Sequence, residues 1–87
     1  DFRLHQNFPN PFNPKTQISY DVLKRGKVKI EIIDLTGKIL SVLTDKELDA
    51  GSYETSFNGN LFSSGAYICR MNVNGKSVAS IRMLLIK

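Results

Sequence analysis

Apolar and polar residues alternate with a period of two along most of this chain. Over residues 17–23, Ile18, Tyr20 and Val22 fall on one face. Over residues 27–34 the contrast is sharper: Val28, Ile30 and Ile32 point one way, and Lys27, Lys29 and Glu31 the other. This is the pattern of antiparallel strands with one face buried and one in water. Residues 39–44 continue it, with Leu40 and either Val42 or Leu43 as core candidates. Tyr53, Thr55 and Phe57 form another alternating set. Tyr67, Cys69, Met71 and Val73 share a face over residues 66–73, and residues 76–86 read as a last strand. Residues 2–6 add a short edge strand.

Turn residues separate these runs. Leu35-Thr36-Gly37-Lys38, Asn58-Gly59-Asn60 and Ser63-Ser64-Gly65 each punctuate the pattern, and Asn74-Gly75 is the strongest hairpin signal. Residues 45–51 are polar and read as a loop. Short strands with turns at regular spacing, and no capped helical period, predict an all-β fold. The expected architecture is an immunoglobulin-like antiparallel β-sandwich of about seven strands, one domain over residues 1–87. Phe57 and Tyr67 are its largest core candidates.

Residues 6–14 differ in kind, reading Gln-Asn-Phe-Pro-Asn-Pro-Phe-Asn-Pro. Pro9, Pro11 and Pro14 fix φ and remove three backbone donors. They push Phe8, Asn10 and Asn13 toward extended geometry. Asn7, Asn10 and Asn13 can bond nearby backbone through their amides. The expectation is a stiff, extended strap clamped over the core, with Phe8 and Phe12 plugged onto the sandwich edge.

Composition narrows the function. The chain is 41% hydrophobic and 23% charged, which suits a folded domain rather than a disordered one. Its net charge is +4, but only residues 24–29 are densely basic, and no nucleic-acid motif or interleaved aromatic platform accompanies them. That density reads as a turn and the solvent face of a strand. Cys69 is the only cysteine and lies in an apolar run, so it reads as a buried, inert thiol. His5 is the only histidine, no His/Cys cluster has metal-ligand spacing, and no apolar run nears the ~20 residues of a membrane span. Asp45, Glu47 and Asp49 alternate as calcium ligands do. The EF-hand pattern fails, because Ala50 and Ser56 occupy the positions that need Gly and Glu. They read as a solvated acidic loop. No P-loop, dinucleotide fingerprint or nucleophile elbow occurs, and a small sandwich has little room for a substrate cleft of ~300 Å³. The expectation is a protein without catalytic residues, cofactor or metal. Phe8, Phe12 and Phe62, read as exposed, leave open a carbohydrate-binding or adhesive module. A structural spacer is a further alternative.

One resemblance spans nearly the whole chain. Gln6-Asn7-Phe8-Pro9-Asn10-Pro11-Phe12-Asn13-Pro14-Lys15-Thr16, followed by Ile18 and Tyr20, resembles the opening of the type A C-terminal sorting domains of the type IX (Por) secretion system. Asp34-Leu35-Thr36-Gly37-Lys38, Ala50-Gly51, Asn58-Gly59 and Leu61-Phe62-Ser63-Ser64-Gly65-Ala66-Tyr67 match in order, as does the ending Arg82-Met83-Leu84-Leu85-Ile86-Lys87. The chain departs from the family at Ile81-Arg82, where two basic residues are frequent, and at Phe57, where Trp is common.

The resemblance implies a non-catalytic address on a larger cargo protein of Bacteroidetes-type bacteria. The cargo reaches the periplasm behind a separate N-terminal signal. There the domain is read by an outer-membrane translocon, and in the family a sortase-like peptidase at the surface commonly removes it. The cargo ends secreted or on the cell surface. The start at Asp1 and the end at Lys87 suit such an excised C-terminal domain. Carried over by position, the candidate recognition residues are Gly65, Tyr67, Arg82, Leu85 and Lys87. An exposed final strand would also be able to pair edge to edge with a second copy, or accept a partner's strand.

Overall fold

The computed structural model describes residues 2–87; Asp1 lies outside the described residues. Seven strands follow in order: β1 (Arg3–Leu4), β2 (Lys15–Val22), β3 (Gly26–Ile33), β4 (Ile39–Leu48), β5 (Gly51–Asn58), β6 (Gly65–Val73) and β7 (Lys76–Leu85). They form two sheets, β1-β2-β5 and β4-β3-β6-β7, and every strand pair is antiparallel. The all-β sandwich read from the periodicity is what forms, with no helix among the described residues.

The inward faces are largely those the alternation marks. Ile18, Tyr20, Val22, Val28, Ile30, Ile32, Phe57, Tyr67, Cys69, Met71 and Val73 are all buried in one cluster between the sheets. The Asn74-Gly75 hairpin forms with φ of 51° and 84°, the left-handed pair that matches the twist of the flanking strands. Asp34 closes the β3–β4 turn. Its Oδ1 accepts from the Thr36 hydroxyl (2.6 Å), the Lys38 amide (3.0 Å) and the Thr36 amide (2.9 Å), which holds the carboxyl below its usual pKa.

The fold departs from the sequence reading in four places. The polar stretch 45–51 is mostly strand: β4 runs on to Leu48 and β5 begins at Gly51. Its charges do not break the strand because they have partners across it. Lys27 lies opposite Glu47, and Lys29 opposite Asp45. On β4, register shifts leave Leu40 and Leu43 as extra residues, so these two pack on the core and Val42 faces out, 47% exposed. A bulge inserts one residue, so the inward positions fall three apart instead of two. Glu31, assigned to solvent, is 1% exposed. Phe62, assigned to the surface, packs at 5.7 Å from Phe57 and 6.1 Å from Tyr67, ring centre to ring centre.

Candidate functional site

Residues far apart in sequence meet where β7 ends. Gly65 is paired with Leu85 and Tyr67 with Met83, so the Ser-Gly-x-Tyr element and the terminal strand are neighbours. Leu85 is fully buried. It packs so closely on the turn after β5 that a Cβ on Gly59 would stand 2.9 Å from its Cδ2. Tyr67 is buried too, and its hydroxyl donates to the Ser63 carbonyl at 2.5 Å, tying down the loop that leads into β6. Gly65 has φ of +154° with open space around it. Its requirement is a backbone angle that side chains disfavour, not a lack of room. Arg82 and Lys87 are exposed. The Lys87 amide donates to Ser64 Oγ (2.9 Å) and its ammonium to the Asn60 carbonyl (2.6 Å).

The strap crosses from one sheet to the other. Phe8 bridges to Gln17 of β2, and Phe12 bridges to Leu85 of β7. It bends at residues 9–11 and 13–14 and is not the extended segment its prolines suggested. All three prolines follow cis bonds, after Phe8, Asn10 and Asn13. The buried Asn7 amide donates to the Pro9 carbonyl (3.2 Å) and to Thr16 Oγ1 (3.0 Å), and the Thr16 hydroxyl donates to the same carbonyl (2.8 Å). The Pro14 carbonyl accepts from the Gly59 amide (2.8 Å). Only one of the two phenylalanines enters the core. Phe12 is 2% exposed and meets Phe57 edge-on at 6.0 Å, whereas Phe8 is 79% exposed. Phe8 lies opposite Gln17, an outward position of β2, so its ring stands beside a shallow hollow shared with Pro9, Lys15, Thr16 and Ser56. Pro11, between the two contact points, and Asn13, just after the second, are exposed.

The same strap closes the outer edge of the last strand. Gln6 Nε2 donates to the Arg82 carbonyl (2.8 Å), and Asn10 Oδ1 accepts from the Leu84 amide (3.0 Å). The Phe12 amide donates to the Leu84 carbonyl, and the Phe12 carbonyl accepts from the Ile86 amide, both at 3.0 Å. The end of β7 is therefore bonded on both sides, by β6 and by the strap. Gln6 and Asn10 act here as pieces of a strand, a role that periodicity cannot signal because the partners lie 76 and 74 residues away.

Several charges elsewhere are paired. Arg25 contacts Asp49 at 2.5 Å and Glu47 at 3.9 Å, and Lys27 lies 4.0 Å from Asp45. The dense basic run and the acidic run thus face each other across β3 and β4. On the outer face of the larger sheet Glu31 Oε1 accepts from Arg70 Nη2 (2.6 Å), Arg70 Nε (2.8 Å) and Asn72 Nδ2 (3.0 Å). Oε2 makes no hydrogen bond and has the Lys29 ammonium 3.9 Å away.

Burial, reinforced by the Glu31 charge, pushes the Cys69 thiol up to about 12 from a usual 9.0. The thiolate is the reactive form. Cys69 is therefore expected to resist a thiol reagent at pH 8 in the folded protein and to react fully in denaturant, as a colorimetric thiol assay would read. The raised value favours the folded state below pH 9, and that contribution is lost as pH rises from 9 toward 12.

The profile of the family described as secretion system C-terminal sorting domain matches residues 6–87. The chain belongs to this family. The match begins at Gln6, the first strap residue bonded to the terminal strand, and runs through Lys87. The sorting domain has no match among curated proteins. Among solved structures it is similar to the Pseudomonas fluorescens alkylpurine DNA glycosylase AlkC bound to DNA containing an abasic site analog, at 17% identity and a TM-score of 0.61. That likeness covers 99% of this chain and 30% of the glycosylase chain, and it concerns the fold alone. Membership of the Por sorting domains makes the chain a secretion sorting signal. A protein carrying such a signal is exported to the cell surface or beyond it.

Proposed function

We propose that the sorting domain is a non-catalytic address that takes an upstream cargo from the periplasm through the outer-membrane translocon of the type IX system. A sortase-like peptidase at the surface then removes it. The domain over residues 1–87 acts as one unit in this step. Arg82 and Lys87 are the contact residues, since their side chains reach solvent. Gly65, Tyr67 and Leu85 are positioning residues. Tyr67 and Leu85 are buried and act by holding the terminal strand against the 59–64 turn, and Gly65 by setting the angle at which β6 starts. The strap serves as a clamp through Phe12, with Pro9, Asn10, Pro11, Asn13 and Pro14 shaping its path and Phe8 left outside.

The observation that carries this reading is the convergence of the Ser-Gly-x-Tyr element, the strap and the terminal residues at one end of the sandwich. A folded patch, rather than a linear tail, then presents the signal. The test is a fusion of residues 1–87 behind a periplasmic reporter in a cell that carries the type IX system. The reporter is expected at the surface or in the medium. Arg82→Glu combined with Lys87→Glu is expected to cut delivery at least tenfold while the thermal midpoint stays within a few degrees. Delivery at the wild-type level by that variant would refute the contact role.

A further inference from the structure

The outer face of the larger sheet is polar at one end and apolar at the other. Residues directly opposite in antiparallel strands share a face. Ile39 is opposite Ile33, Ile33 opposite Ile68, and Ile68 opposite Arg82, so one row crosses all four strands. The next row places Val42 beside the buried Glu31–Arg70 pair, and Leu84 flanks the first row on β7. Ile39, Val42 and Leu84 are 48%, 47% and 42% exposed, and they flank Ile33, which is 8% exposed, and the half-buried Ile68. An antiparallel sheet with one face in water should carry polar residues there, and at the other end it does, with Lys27, Lys29, Asp45 and Asn72.

We infer that this apolar row is a docking surface for a protein partner whose own surface is apolar and rimmed by carboxylates, the transport machinery of the reading above, on which the inference rests. Charge selects the partner. The row is bracketed by Lys38 in the β3–β4 turn and Arg82 on β7. The acidic groups nearest that end are already engaged: Asp34 caps its turn and Glu31 holds Arg70. A second copy has only the same cations to offer at this end, and its Asp45 and Glu47 face Lys27 and Arg25. The strap excludes reading by strand addition at residues 82–86, because the outward carbonyls and amides there are already bonded and Phe12 anchors them in the core. At this end of β7 the partner therefore meets the face and not the edge.

The test uses the same reporter fusion. Replacing Ile39, Val42 and Leu84 together by Thr keeps strand-forming side chains and removes the apolar row. Export is expected to fall at least tenfold, with the thermal midpoint of the purified domain within a few degrees of wild type. Lys38→Glu alone, which leaves the proposed contact residues Arg82 and Lys87 in place, gives a second, independent variant and is expected to fall as far. Glu54→Lys, on the other sheet, is expected to export normally. Wild-type export by a folded row variant overturns the inference and leaves the sorting role standing. Failure of the unaltered fusion to export overturns the sorting role itself. Light scattering decides the remaining occupant: a wild-type dimer that the triple variant abolishes would make the row a self-interface and overturn the inference.

Discussion

Phe12→Ala is expected to cost about 3–5 kcal/mol of folding stability, while Phe8→Ala stays within about 0.5 kcal/mol. The two residues sit in the same proline motif, four positions apart, and look interchangeable in sequence. Phe12 is 2% exposed, packed on Phe57 and within reach of Leu85 and Gly59, so its loss leaves a cavity where both sheets, the strap and the terminal strand meet. Phe8 is 79% exposed and leaves none. Small domains have only about 5–15 kcal/mol in total, so Phe12→Ala should bring the protein close to unfolding. Urea denaturation of both variants checks the contrast. Equal effects would mean that the strap does not lock through Phe12. Native-state hydrogen exchange adds a local reading: the Leu84 and Ile86 amides, which donate to Asn10 and Phe12, should lose protection first.

Arg70→Ala is the second large effect, expected at about 3 kcal/mol of destabilisation. Removing one partner of a buried ion pair typically costs ~3–5 kcal/mol, because the charge left behind has no compensation. The low end applies because Arg70 itself is 31% exposed. Glu31 is 1% exposed, takes three of its hydrogen bonds from Arg70 and Asn72, and already has one oxygen without a hydrogen bond. Replacing both members, Glu31→Leu with Arg70→Leu, is expected to recover most of the loss, since no orphaned charge remains. A double variant as unstable as Arg70→Ala would show that the pair contributes through something other than mutual neutralisation. Thermal and urea melts of the three proteins separate these outcomes.

Both effects fall where local pattern and tertiary contact disagree. Glu31 sits at an outward position of an alternating strand, and nothing nearby in sequence indicates a cover. Its burial comes from Arg70 and Asn72, which reach it from the neighbouring strand 39 and 41 residues later. Leu40 and Leu43 were obscured by the β4 bulges, since an inserted residue breaks the period on which face assignment depends. The 45–51 stretch reads as a loop because its composition is charged, yet Asp45 and Glu47 have cations beside them across the sheet.

The sequence by itself determined the all-β class, most of the strand boundaries and the inward faces of β2, β3 and β6. It also marked the Asn74-Gly75 hairpin and the motifs that tie the chain to the sorting domains. These are local properties: a period of two specifies a face, a left-handed dipeptide specifies a turn, and a run of prolines and asparagines identifies itself. Tertiary structure alone decided that Phe12 is core and Phe8 surface, and that the strap occupies the last strand's edge. It alone set Leu85 against the 59–64 turn, behind the surface that Arg82 and Lys87 present. Each of these depends on which distant segment lies alongside, and the bonds that settle it join residues as much as 76 positions apart. A one-residue change in register would turn the opposite side chains inward. That register is set by packing the whole sandwich, not by any segment read alone.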